Sequence, residues 1–428
     1  MDVIRNTALW TQLRSPRILL LLATVALCLI RARDQPALDL GLGSTTVSVV
    51  PGDVLLALLA VVAATEVLRH GIDRSAWAGV AAAAALGLLI AVTGAMNGST
   101  AFVSGIKLVE LAAIGLGVIA FVRGRTHFEA IVDVLLLFTL AADVIGLAKF
   151  VTAGGGRQPS FLGEHDFAAL STLPLLYGLA TLSGDNRRRA WLAIVAGAIG
   201  CILGAALASL LGLYLGAAVL IAVAALHRRL RLRQLASVVL VVLAVTGGTL
   251  ELRSGSLGFL QSWFGKPPSR PGQYASSWSQ RLIYTYIGGR VFIAHPFLGT
   301  GWYGNLPPRE FVAYLPAAHR RFSDQPANYF PPANEPYIPQ QTFDQVLYEL
   351  GVVGGILMLA LLIAAARGTA LIARRTLAGI GVVPATWLAA TLGALAGEAL
   401  FGGAPLVAMF WLVVGVCLTF AIPGRRLA

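Results

Sequence analysis

Apolar residues run along this chain in long unbroken stretches rather than in alternation. Stretches of about 18 to 22 residues recur, each able to cross a hydrocarbon core of about 30 Å as a helix, and their continuity predicts helices rather than a barrel. The pattern predicts twelve spans, near residues 17–33, 53–69, 76–95, 102–122, 127–150, 166–183, 190–208, 210–226, 234–252, 343–365, 380–400 and 405–422. One long hydrophilic stretch separates the ninth from the tenth. The expectation is an all-α polytopic membrane protein in three parts: a bundle of nine spans over 1–252, a loop domain with short helices over 253–342, and three closing spans over 343–428.

Composition agrees with this pattern. The chain is 57% hydrophobic and only 12% charged, against about 25% charged in an ordinary soluble domain. Arg14 and Arg17 before an apolar core give the first span the look of a signal peptide. No A-x-A site follows it, however, and Leu27 before Cys28 does not suit a lipoprotein, so it reads as a membrane helix. Cys28, Cys201 and Cys417 all fall inside spans and form no C-x-x-C pair, which leaves no disulfide framework or thiolate metal site.

Lys and Arg counting sets the expected orientation. With twelve spans both termini share a side, and the short segments on that side hold most of the 32 Lys and Arg: Arg5, Arg14, Arg17, Arg69, Arg74, Arg123, Arg125, Arg187 to Arg189, Arg228, Arg229, Arg231, Arg233, Arg367, Arg374, Arg375, Arg425 and Arg426. Short loops opposite hold only Arg31, Arg33 and Arg157. The termini are therefore expected in the cytoplasm and the long loop outside, and the net charge of +12 calls for no nucleic-acid partner.

Within the loop, residues 295–305 read HPFLGTGWYGN and contain the G-x-G-x-x-G spacing of a dinucleotide site. That motif needs a strand before it and a helix after it, whereas here Pro296 precedes the glycines and Pro307-Pro308 follows. No nucleotide pool exists outside the membrane either. The glycines are better read as turn-formers that bring backbone close to a neighbour.

The loop carries nearly half the chain's aromatics and most of its 20 prolines. Most of those aromatics should pack the loop onto the bundle; Trp302 and Tyr303 in the turn are candidates to meet sugar. Its arginines outnumber its acids, and arginine in a partly dry site suits bidentate phosphate binding. Arg281 and Arg290 stand apart from the others because they lie in the helix-like SWSQRLIYTYIGGRVFIA, among apolar residues, where burial would demand a partner.

Five ionisable residues inside spans, Lys107, Glu110, Asp143, Lys149 and Glu398, all fall in the outer half. Lys107 and Glu110 have the i, i+3 spacing of an ion pair, while snorkelling accounts for Lys149 and Glu398. A transporter would place polar breaks near mid-span in two related halves. The outward skew instead points to a site at the outer membrane surface. The six histidines show no metal-ligand spacing. His295 precedes a proline and reads as a packing residue, whereas His165 lies between Glu164 and Asp166, which would favour its charged form.

At this point the chain resembles the O-antigen ligase and polymerase family of bacterial envelope glycosyltransferases. The resemblance rests on SQRLIYTYIGGRVFIAHPFLGTGWYGN, with its arginine, amphipathic helix and Pro-x-x-Gly-x-Gly turn; on QQTFDQVLYELGVVGGILML, where the chain returns to the membrane with Leu347, Glu349 and Gly351; and on RQPSFLGEHDFAALSTLPLLYGL. It implies inverting transfer of a glycan from a polyprenyl-diphosphate carrier to a glycan or lipid acceptor hydroxyl outside the inner membrane, without cofactor or metal. It puts Arg281 on the family's diphosphate arginine; the family's second phosphate contact is missing here or is supplied by Arg157 or Arg290.

Two departures follow. The family's Ser-Arg is Ser209-Leu210 here, and its His-Asn before the return to the membrane is Gln340-Gln341, which cannot accept a proton. Glu335, His319, Glu164 and His165 are the outer candidates for the missing base. A flippase for a lipid-linked glycan and an inactive relative are the competing readings.

Overall fold

The computed structural model describes residues 15–42, 45–184, 186–226, 232–253, 276–375, 379–420 and 422. Lys266 and Arg270 of the loop, and the terminal arginines, lie outside these. A helix occupies each expected span: α1 Pro16–Cys28, α2 Pro51–His70, α3 Arg74–Met96, α4 Ser99–Val109 with α5 Ala112–Phe121, α6 Arg125–Thr152, α7 Glu164–Thr181, α8 Arg187–Gly204, α9 Leu207–Leu226 and α10 Leu232–Leu252. The loop contributes α11 Ser276–Ala294, α12 Pro308–Phe311 and α13 Leu315–Arg321, and the chain closes with α14 Thr342–Arg375, α15 Val383–Leu395 and α16 Pro405–Thr419. Among the described residues, seven helices are long and apolar enough to cross a membrane. The others are shorter or more polar: α1, at 13 residues, spans only about 20 Å at 1.5 Å per residue.

Two local expectations change. The chain is not purely helical, because the first loop folds into a hairpin, β1 Leu38–Leu42 paired antiparallel with β2 Thr45–Val49. Its alternating Leu/Val and polar positions are a strand signal too short to register beside the long apolar runs. The second change concerns Lys107, which does not pair with Glu110. The fourth span breaks between Val109 and Ala112, and Lys107 Nζ reaches Asp53 Oδ2 of α2 at 2.5 Å.

α7 is the central helix, buried without interruption from Asp166 to Ala180. Neighbours come close by glycine contact, as small residues allow in membrane bundles. A Cβ on Gly197 of α8 would lie 2.5 Å from Ser171 O of α7, and one on Gly393 of α15 would lie 2.4 Å from Gly212 Cα of α9. A second core forms in the loop, where one face of α11 (Ile283, Tyr284, Ile287, Val291) packs with Leu306, Phe311, Leu315, Tyr329, Phe330, Tyr337 and Tyr348.

The loop is joined to the bundle at a break in α14, where Gly351 takes φ 62 and ψ −161. Beyond the break the N–H groups of Val352 and Val353 donate to Pro296 O at 2.8 Å and Phe297 O at 3.1 Å. Glu349, fully buried, accepts the N–H groups of Tyr303 and Gly304, each at 3.2 Å. The glycines of the turn are at positive φ, and a Cβ on Gly299 would stand 2.3 Å from the Glu349 carbonyl carbon.

Gly299→Ala should therefore destabilise the protein by more than the roughly 1–2 kcal/mol of a left-handed backbone alone. Thermal unfolding in detergent checks this, with Gly289→Ala as control, since a Cβ at Gly289 meets nothing within 4 Å and its melting temperature should hold or rise.

Candidate functional site

The loop end of α7 carries Glu164, His165 and Asp166, and because α7 is central these residues begin at the middle of the bundle. Neither acid is turned to the histidine. Arg157 Nη2 pairs with Glu164 Oε2 at 2.6 Å. Asp166 Oδ1 accepts the Leu406 N–H at 2.9 Å at the start of α16, and Oδ2 lies 3.8 Å from Arg31 Nε, which also donates to Leu162 O.

What surrounds His165 is cationic. Arg157 comes from the segment before α7, Arg253 from the end of α10 and Arg281 from α11, and all three guanidiniums act on the ring. Backbone carbonyls aim them: Arg281 Nη2 donates to Gly397 O at 2.9 Å, and Arg253 Nη1 to Ala205 O at 3.1 Å. Glu398 stands beside Arg281, so three guanidiniums face two carboxylates. His165 precedes the apolar stretch of α7, and burial together with Arg281, Arg157 and Arg253 pushes it down to about 4. The sequence expectation of a charged imidazole is thus reversed. At neutral pH it is a free base.

Burial also lowers the guanidiniums themselves, Arg253 to about 10 with Arg157 adding to the effect, and Arg281 and Arg157 in the same direction. The Nε groups of Arg253 and Arg281 are buried with no acceptor among the described residues, and Glu398 Oε2 is buried with no donor. Buried donors are ordinarily satisfied. Here Arg253 and Arg281 each keep one without a partner among the described residues.

The remaining expected site residues lie elsewhere. Arg290 is exposed and donates to Tyr286 OH at 3.1 Å. Nine helical positions from Arg281 put it on the opposite face of α11, so it is not a third ligand beside that arginine. His319 is exposed and stacks on Phe330 with ring centres 3.8 Å apart. Glu335 is exposed in the segment before Tyr337, and no contact among the described residues joins either to the arginines. Trp302 is fully buried in the bundle core, its backbone N–H donating to Thr93 Oγ1 at 3.1 Å, and offers no face to a sugar. Tyr303 is half-buried, and its hydroxyl accepts from Arg309 Nη2 at 2.7 Å.

Arg253 and Glu398 are the residues that sequence reasoning passed over. Glu398 carried a signal, as the sole charged residue of its span after Gly397. Arg253 carried none that set it apart from the other loop arginines, since its carbonyl partner is 48 residues away. A family model described as O-Antigen ligase matches residues 173–359, from within α7 to within α14. It takes in Arg253 and Arg281 and leaves Arg157, His165 and Glu398 outside. No curated protein matches the chain.

A histidine held neutral in the fold favours the folded state above its ordinary value of 6.5 and loses that contribution as pH falls to about 4. The melting temperature of the wild type should therefore carry a decline between these values, worth at most about 3 kcal/mol at 1.36 kcal/mol per unit. His165→Gln should lack that part of the decline in parallel melts across the same range.

Proposed function

Because the chain belongs to the O-antigen ligase family, we propose that it transfers a glycan from a polyprenyl-diphosphate carrier to an acceptor hydroxyl at the outer face of the bacterial cytoplasmic membrane, in ligation or polymerisation of a surface polysaccharide. The observation that carries this reading is the convergence of Arg157, Arg253 and Arg281, two of them with unsatisfied buried N–H groups, around a neutral histidine. The arginines bind the donor's diphosphate. As the bond between the anomeric carbon and the diphosphate oxygen breaks, negative charge gathers on that oxygen, and preorganised cations in a site shielded from water stabilise it most.

The acceptor oxygen attacks the anomeric carbon from the face opposite the leaving group, which inverts the centre, and its proton passes to the free nitrogen of His165. Two anionic phosphates on the arginines offset the share of the suppression that the guanidiniums add to burial, so donor binding raises the basicity of the imidazole. His165 thereby takes the part of the family histidine that Gln340 replaces. The Glu398 carboxylate, beside Arg281, holds that guanidinium against Gly397 and tempers the charge of the empty site.

Purified protein in liposomes, given carrier-linked glycan and acceptor, tests the assignment. Arg281→Ala and Arg281→Lys should abolish transfer while the protein still reaches the membrane. His165→Gln should lower the rate by about 10²- to 10⁴-fold, the usual range for a lost general base, and Arg290→Ala should stay near wild type. Undiminished transfer by Arg281→Ala, or movement of carrier across the bilayer without bond formation, would overturn the reading.

A further inference from the structure

α11 has three faces, and two of them pack against other described residues. Ile283, Tyr284, Ile287 and Val291 enter the loop core, and Arg281 turns to Gly397. The third face is apolar and uncovered, with Leu282 46% and Ile293 70% exposed. It continues directly into the turn, where Phe297 is 77% and Leu298 52% exposed. An apolar strip of this kind on a loop otherwise well packed calls for an apolar neighbour.

The backbone identifies that neighbour. Pro296 O and Phe297 O bond the N–H groups of Val352 and Val353, so the turn is fixed at the depth of those residues on α14. From there α14 continues as a candidate membrane span, with Ile356 60%, Leu359 56% and Ile363 51% exposed. The exposed strip of α11 and the turn is thus continuous with the lipid-facing surface of a crossing helix. Arg281 and Arg290 flank it, some 100° and 80° to either side of Leu282 on a helical wheel, and Arg290 rests over Tyr286 with its guanidinium 5.3 Å from the ring centre. An apolar strip bordered by cations and aromatic rings is the pattern of a helix lying in a membrane interface.

We propose that α11 and the Pro296–Gly299 turn lie in the leaflet on the loop side of the bilayer, with Leu282, Ile293, Phe297 and Leu298 among its acyl chains. The loop domain then sits on this helix as on a raft, and its buried aromatic core faces away from lipid. This placement is independent of the proposed chemistry. Should that chemistry hold, it sets Arg281 at the level of lipid headgroups, where a carrier's diphosphate would travel.

The full chain suits a labelling test because Cys28, Cys201 and Cys417 are buried. Phe297→Cys, carrying an environment-sensitive fluorophore, is reconstituted in liposomes of plain phospholipid with and without lipid bearing a quencher on the upper acyl chain. Arg320→Cys, at an exposed position on α13, is the reference. We expect quenching at position 297 at least about threefold that at 320, as for a probe held some 5–10 Å into the interface, and the same at Ile293→Cys should Phe297→Cys fail to fold. Equal quenching at 293 or 297 and at 320 would overturn the proposal. No donor or acceptor is present, so the result is separable from any failure of the transfer assay.

Discussion

A membrane helix that breaks must find acceptors for the N–H groups it frees, because lipid supplies none. In this protein the break is at Gly351, and the acceptors are the carbonyls of Pro296 and Phe297. The exchange runs in both directions: Glu349, one turn before Val353, reaches back with its carboxylate to two N–H groups of the same turn. The short segment from Pro296 to Gly304 therefore serves as part of α14's hydrogen bonding. Its glycines are required because Gly299 lies against the Glu349 backbone, with no room for a side chain. A pattern that mimics a nucleotide motif is, in physical terms, a splice between a loop domain and a transmembrane helix.

From that splice the position of α11 follows, and from α11 the position of Arg281. The arginine is aimed at the link between α15 and α16, while Arg253 and Arg157 arrive from other directions and are held by the carbonyls and acid around the start of α7. Arg281 and Arg253 are each anchored by one nitrogen, and Arg157 by two, its Nη2 on Glu164 and its Nε on Gly204 O. Repulsion among the three is tolerable because Glu164 and Glu398 stand within the cluster, and because the histidine at its centre gives up its proton.

The same electrostatics make donor and base interdependent. Burial is the larger cause of the lowered basicity of His165, and the three arginines add to it; in the proposed mechanism, phosphates on the arginines relieve the arginines' share. In the proposed mechanism this coupling compensates for Gln340-Gln341, where an ordinary base is missing: the imidazole need not come from the loop if α7, fixed at the bundle's centre, supplies one.

Local pattern was enough for the helices, because a run of apolar residues has one stable arrangement in lipid whatever its neighbours do, and each expected span holds a helix. The turn chemistry of residues 295–304 and the special standing of Arg281 were legible too, since proline, glycine and a charge amid apolar residues are strong local constraints. The short hairpin, the Lys107–Asp53 pair and the break at Glu110 were not, being decided by partners on other elements. Periodicity alone separates Arg290 from Arg281, but which face meets the site depends on what packs against α11. The acidic neighbours of His165 do not set its state, because chain adjacency is not proximity: both acids are engaged elsewhere, and burial, with three arginines from distant parts of the chain, acts on the ring. Local pattern was enough to place the apolar helices and the turns, because those choices are made by solvent and backbone. Which charges meet is a property of the packed fold, because a Coulomb interaction depends on distance through space and on the water excluded between its partners.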